Sequence, residues 1–205
     1  MSRRAAGWVL ATALLLVIGG LAWWWQAGRG GGRAARRGAD EGAAGAATER
    51  HAFDLYFPAS GGGLRSERRE LQVSEAPKDR IRKVLEALLA GPAAGPAAAP
   101  AAAPQGASPA GLVRPFPPEV KLGSVELSAD GIAFVDLRWP DREDPPESGS
   151  TEEIQRVYSL VDSLALNVPQ VNRVVLLWNG TQRITFSGHL DTSRPLLPDR
   201  TLLAP

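Results

Sequence analysis

The sequence predicts an α+β fold: a two-layer ββαββαββ domain with two helices packed on one face of a sheet, preceded by a transmembrane helix. Three observations carry this reading. A charge-free stretch covers residues 5–28. Two apolar stripes recur at helical spacing, Ile81/Val84/Leu85/Leu88/Leu89 and Ile154/Val157/Tyr158/Val161/Leu164. Around the second stripe, strand-like runs are broken by Asp130-Gly131 and Asn179-Gly180, dipeptides that favour tight hairpins.

The N-terminal segment comes first. At about 1.5 Å rise per residue, the apolar run 8–25 spans roughly 27 Å as a helix, close to the hydrocarbon thickness of a bilayer. Trp8 at one end and Trp23, Trp24 and Trp25 at the other resemble an interfacial aromatic belt. Arg3 and Arg4 with Gly20-Leu21-Ala22 also spell a signal peptide and cleavage site. The three tryptophans beyond that site fit a bilayer boundary better, so residues 1–28 read as an uncleaved single-pass signal-anchor. Arginines flank both ends (Arg3 and Arg4; Arg29, Arg33, Arg36 and Arg37), and charge alone does not orient the span.

Residues 29–50 hold Gly, Ala and Arg with almost no large apolar side chain, and are expected to form a disordered stalk. Folded structure is expected over 51–197, with 198–205 as a tail. Phe53-Asp54-Leu55-Tyr56-Phe57 reads as a strand stopped by Pro58, and Gly61-Gly62-Gly63 as a turn. Residues 65–73 are extended but heavily charged, as an edge strand is. Pro77 opens the first helix and Gly91-Pro92 closes it. Residues 92–111, rich in Ala and Pro, form a flexible insertion leaning to polyproline II. Strands over 120–128 and 132–138 meet at Asp130-Gly131, expected as a two-residue type I′ turn. Ser150-Thr151-Glu152-Glu153 spells a capping box in which Ser150 caps the second helix and Glu153 reaches back. Pro169 ends that helix, and strands over 171–178 and 182–187 pair across Asn179-Gly180.

Composition excludes several classes of function. The net charge of +1 hides an asymmetry: residues 1–47 hold six arginines and two acids, leaving 17 basic and 20 acidic groups in 48–205. A mildly acidic domain has no nucleic-acid footprint. The absence of cysteine rules out disulfides, thiolate metal sites, a cysteine nucleophile and a lipid-modified N-terminal cysteine. Arginine outnumbers lysine 20 to 3, which suggests a bacterial source with GC-rich codons.

Catalytic signals are sparse, and no catalytic, cofactor-binding or metal residue is assigned. His189, Asp191 and Ser193 superficially spell a triad, but neighbours on one short segment do not easily converge on one reacting atom, and no Gly-x-Ser-x-Gly elbow accompanies them. His51 and His189 lie too far apart in the chain to suggest a zinc site. Asp141, Glu143, Asp144 and Glu147 crowd a loop without the alternating spacing and turning glycine of a calcium loop. Asn179-Gly180-Thr181 matches a glycosylation sequon that hairpin geometry already explains. Gly61, Gly62 and Gly63 lack the helix and lysine of a phosphate cradle. Trp139 and Trp178 are the aromatics in the domain that a glycan site would use.

Several motifs in order support a family resemblance: Leu55-Tyr56-Phe57-Pro58, Leu88-Leu89-Ala90-Gly91-Pro92, Pro117-Pro118-Glu119-Val120-Lys121-Leu122, Ala133-Phe134-Val135-Asp136-Leu137, Val157-Tyr158-Ser159-Leu160-Val161, and Gly188-His189-Leu190-Asp191-Thr192-Ser193-Arg194-Pro195-Leu196. Together they resemble the GerMN domain, the sporulation and germination domain of bacterial envelope proteins. The resemblance implies a non-enzymatic interaction and assembly module without cofactors, exoplasmic and tethered to the cytoplasmic membrane. Its implied partners are envelope proteins, with self-association or a ring-forming complex among them. The alternative is a peptidoglycan- or glycan-binding accessory to a cell-wall hydrolase. The chain departs from many relatives in lacking a lipidation cysteine, and from some, which carry two copies of the domain, in having one. Within the last motif, Arg194 is expected to pair with Asp191 or Asp136.

Overall fold

In the computed structural model, residues 48–93 and 111–204 are described. The expected anchor, nearly all of the stalk and most of the Ala/Pro insertion lie outside them. Among the described residues, no helix is long and apolar enough to cross a membrane.

Strand β1 (Glu49–Pro58) pairs antiparallel with β2 (Leu64–Val73) along its whole length, from Glu49↔Val73 to Pro58↔Leu64. Alternation sets the faces: Phe53, Leu55 and Phe57 point inward and are buried, while β2 buries only its end residues Leu64 and Val73. The charged middle of β2 matches the edge character expected of it. Helix α1 (Pro77–Leu89) starts on its proline and buries Ile81, Val84, Leu85 and Leu88.

Strands β3 (Lys121–Leu127) and β4 (Ile132–Arg138) form the next hairpin. Helix α2 (Ser150–Ala165) leads to β5 (Arg173–Trp178), which pairs with β4 in parallel. The last strand, β6 (Thr181–Gln182), is antiparallel to β5. The α+β class and both helices stand as expected, but there are two sheets rather than one: β1-β2, and β3-β4-β5-β6. The two helices touch each other, and both pack on the four-stranded sheet as well as on β1. Helix α1 packs on β3 and on the β1-β2 hairpin, and α2 packs on β5 and β1.

Three local expectations are corrected. At Asp130-Gly131 the hairpin closes through a three-residue loop: Gly131 N–H bonds Ser128 O at 3.1 Å and Ser128 N–H bonds Ile132 O at 3.0 Å. Only Gly131 has positive φ there, +78°, so this is a turn followed by a left-handed glycine and not type I′. Strand β6 stops at Gln182 because the following backbone bonds elsewhere; Ile184 O, for example, accepts Thr192 N–H at 2.8 Å. The capping box does not form. Gly149 occupies the N-cap with no side-chain cap, and Glu153 is turned inward.

Asn179-Gly180 behaves as expected. With φ of +50° and +83° and Trp178 paired to Thr181, it is a two-residue type I′ turn. Between the sheets and helices lies one apolar core. Within it, Phe186 stands edge-on to Phe116 at 6.2 Å and to Trp178 at 5.9 Å between ring centroids.

Candidate functional site

The C-terminal motif around residues 187–193 is built on α2. Glu153, fully buried in the helix's first turn, projects its carboxylate into the loop that follows β6. Its Oε1 accepts Ser187 N–H at 2.6 Å and Leu190 N–H at 3.2 Å, and its Oε2 accepts His189 N–H at 2.8 Å. A carboxylate that accepts three backbone donors replaces a strand partner for this loop.

One turn on, Arg156 does the converse for two carbonyl-rich segments. Its guanidinium donates to Pro115 O at 2.9 Å and Pro146 O at 3.0 Å, and pairs with Glu152 at 2.7 Å. Burial draws this guanidinium below its ordinary pKa, against the opposing attraction of Glu152. Ser187 Oγ also donates to Pro146 O at 3.0 Å. The N-terminal half of α2 therefore organises the 115, 146 and 187–190 segments at once.

These segments border a groove of about 560 Å³ whose wall includes Asp144, Glu147, Arg183, Ile184 and Ser187. Asp144 and Arg183 form an ion pair across it. Ile184 stands at its side with 78% of its surface exposed.

The triad letters do not converge into a triad. Asp191 Oδ1 accepts Ser193 N–H at 2.9 Å and Ser193 Oγ–H at 2.6 Å, a local turn, and these bonds hold the Asp191 carboxyl below its ordinary pKa. His189 is exposed and joins the loop through its backbone, not its imidazole. Among the described residues Arg194 makes no ion pair within 4.0 Å: Asp136 is held instead by Arg138 Nε at 2.6 Å and by Gly180 N–H at 2.7 Å. The expectation for Arg194 is thus corrected; only a longer-range effect on Asp191 remains.

Asp141, Glu143, Asp144 and Glu147 are all exposed. The Asn179 side chain, the sequon's would-be acceptor, is engaged: Oδ1 accepts Trp139 N–H at 3.0 Å and Nδ2 donates to Arg142 O at 2.8 Å. Of the two candidate aromatics, Trp178 is buried in the core and donates Nε1–H to Arg142 O at 3.2 Å. Trp139 is half-buried, with the Arg142 guanidinium 5.0 Å from its ring centroid. Neither offers an open stacking platform for a sugar.

One grouping was not legible from spacing. Glu49, His51 and Glu75 bring ligand atoms within 4.8 Å of one another because β1 and the end of β2 are paired. Both carboxylates are exposed, and Glu75 is already paired with Arg80 at 3.1 Å, so the trio is not a preorganised cation cage.

Comparison with known proteins bears on the fold. The first GerMN domain of the sporulation protein GerM from Bacillus subtilis superposes with a TM-score of 0.51 at 18% identity, covering 73% of this chain and 98% of that one. The tandem GerMN domains of the same protein align with a TM-score of 0.49 at 19% identity, covering 75% of this chain and 46% of that one. No curated protein matches the chain in sequence. The family described as Germane, sporulation and spore germination, matches residues 54–184, most of the folded region. By that match, the chain belongs to the Germane family of sporulation and spore germination domains.

Proposed function

We propose that this chain is a non-enzymatic interaction module of the bacterial cell envelope, held outside the cytoplasmic membrane by a single-pass anchor at residues 1–28. The family match over residues 54–184 is the observation that carries the reading. The charge-free run 5–28, bracketed by tryptophans, supports the tether. The engagement of His189 through its backbone and of Asp191 with Ser193 in a local turn supports assembly over catalysis. Envelope proteins, or further copies of the chain, are the partners this reading names. Ile184 and the adjoining groove are the surface it would use first, since a large exposed apolar side chain beside a polar rim is a common contact centre.

Two experiments test it together in the native host. Carbonate-washed membranes should retain the full-length chain, and protease added to spheroplasts should degrade its C-terminal domain. Release into the soluble fraction, or protection from external protease, would overturn the placement. In situ cross-linking at native expression should then yield envelope proteins or multiples of the chain, reduced by Ile184→Asp without a change in melting. Retention on purified sacculi would instead favour the wall-binding alternative.

A further inference from the structure

The pleat divides the four-stranded sheet into two faces. Ala133, Val135 and Leu137 of β4, with Val174, Leu176 and Trp178 of β5, enter the core together with the buried side chains of both helices. The residues that alternate with them point the other way. On that side Phe134 pairs with Val175, Asp136 with Leu177, and Ile132 with Arg173. Ile132, Phe134 and Leu177 are half-buried and Val175 is buried, yet none of the four belongs to the core cluster. They form an apolar row of their own. At the edge of the same sheet, Ile184 follows β6, and Leu197 follows Leu196, which bridges to Val174; both Ile184 and Leu197 are exposed.

The carboxylate beside this row is already satisfied. Asp136 Oδ2 accepts Arg138 Nε–H at 2.6 Å and its Oδ1 accepts Gly180 N–H at 2.7 Å. Gly123 of β3 leaves the room for that ion pair: a Cβ there would stand 2.7 Å from Asp136 Oδ2 and 2.6 Å from Arg138 Nε. The pair therefore lies down along the sheet, and no unpaired charge bars the middle of the face from burial.

The two sides of the row differ in charge. Towards β3, Glu126 pairs in register with Phe134, and Asp130 is exposed in the hairpin loop. Lys78 pairs with Glu126, which leaves one acid over. Towards β6, Arg173 and Arg194 are exposed, and among the described residues neither makes an ion pair within 4.0 Å. A twofold axis running along the strands between β4 and β5 would lay the acidic side of one copy over the basic side of the other. It would also set Phe134 over the partner's counterpart of Val175. A face of one sign would repel its own image, whereas this one attracts it.

We propose that this helix-free face docks a second copy of the chain, sheet on sheet, at a separation of about 10 Å. The inference rests on the reading of the chain as an interaction module and names one partner for it. Four strands about 4.8 Å apart and six residues of about 3.4 Å each give roughly 400 Å² of sheet plane. That is about half of what one partner buries in a standard interface. Pairing is accordingly weak in dilute solution and gains from confinement of both copies in one membrane.

The chain has no cysteine, so a single introduced thiol reports on one position alone. In native-host membranes carrying the full chain, a short bis-maleimide should cross-link Leu177→Cys to itself at least tenfold more than Glu86→Cys, an exposed control on α1. Adding Arg173→Glu to Leu177→Cys should cut the dimer several-fold, and adding Glu126→Arg as well should restore it. Restoration cannot come from a folding defect. Equal cross-linking at positions 177 and 86, or a dimer indifferent to both charge changes, overturns the pairing. Cross-linking of Leu177→Cys to a different envelope protein overturns it while leaving the interaction-module reading intact. If thiols at neither 177 nor 184 capture any protein, both fail.

Discussion

Asn167 and Asp54 hold one another by two reciprocal hydrogen bonds: Asp54 N–H to Asn167 Oδ1 at 2.8 Å, and Asn167 Nδ2–H to Asp54 O at 2.7 Å. One strand step away, Tyr56 N–H bonds Ser163 Oγ at 2.9 Å and Tyr56 O accepts Ser159 Oγ–H at 2.5 Å. Ser159, Ser163 and Asn167 recur every four residues, so they line one side of α2 and its C-terminal extension. That polar stripe takes the place of a neighbouring strand for the outer edge of β1, which explains why the β1-β2 sheet ends there.

Asn167→Ala would leave both backbone groups of Asp54 without these partners in a half-buried seam. The expected loss is about 2 kcal/mol, seen as a lower urea midpoint with unchanged slope. Ser163→Ala, which removes one acceptor, should cost about 1 kcal/mol. A loss in Asn167→Ala no larger than an exposed-residue control would mean that water replaces the stripe freely.

Glu153 separates two roles that the same letters can spell. If it closed a capping box, Ser150→Ala would cost about 1 kcal/mol. Because Gly149 is the N-cap and Glu153 is committed to residues 187–190, Ser150→Ala should instead stay within about 0.5 kcal/mol of wild type. Glu153→Gln should cost about 2–3 kcal/mol, since its NH2 must face one of three backbone donors that now meet an anion. Amide exchange should accelerate at Ser187, His189 and Leu190 before it does in β5.

This contrast marks where sequence reasoning reached its limit. Apolar spacing placed both helices because Ile81/Val84/Leu85/Leu88 and Val157/Val161/Leu164 must face a common core. Asn179-Gly180 was legible because only residues tolerant of positive φ build a type I′ turn. The two-sheet arrangement was not legible, since it depends on Ser159, Ser163 and Asn167 meeting a strand more than a hundred residues away. The inward turn of Glu153 depends likewise on donors supplied by a loop late in the chain. Trp178 could not be placed by its position before a turn, because tertiary packing against Phe186 decides its burial.

Trp178 and Trp139 give that last point an energetic test. Trp178→Ala would empty the largest of the fully buried side-chain sites and remove one of the two donors to Arg142 O, at an expected cost of about 3–5 kcal/mol. Trp139→Ala removes a half-buried ring stacked by Arg142, and should cost about 1 kcal/mol. Thermal melts of the two variants, run in parallel, should differ by well over 5 °C. Near-equal melts would mean that the Trp178 site collapses without leaving a cavity.

Asn179 combines backbone strain tolerance with side-chain bonding, and two substitutions separate these. With φ of +50°, Asn179→Ala places in the left-handed region a residue that lacks asparagine's tolerance of it, at about 1 kcal/mol, and also deletes the bonds to Trp139 and Arg142. Asn179→Gly restores the backbone freedom and deletes only the bonds. Asn179→Ala should therefore be the less stable variant, by about 1 kcal/mol, while both lose protection at the Trp139 amide in hydrogen exchange. If Asn179→Gly matches wild type in both stability and Trp139 protection, the side chain does not pin the 139–142 loop, and Asn179 is there for its backbone angle alone.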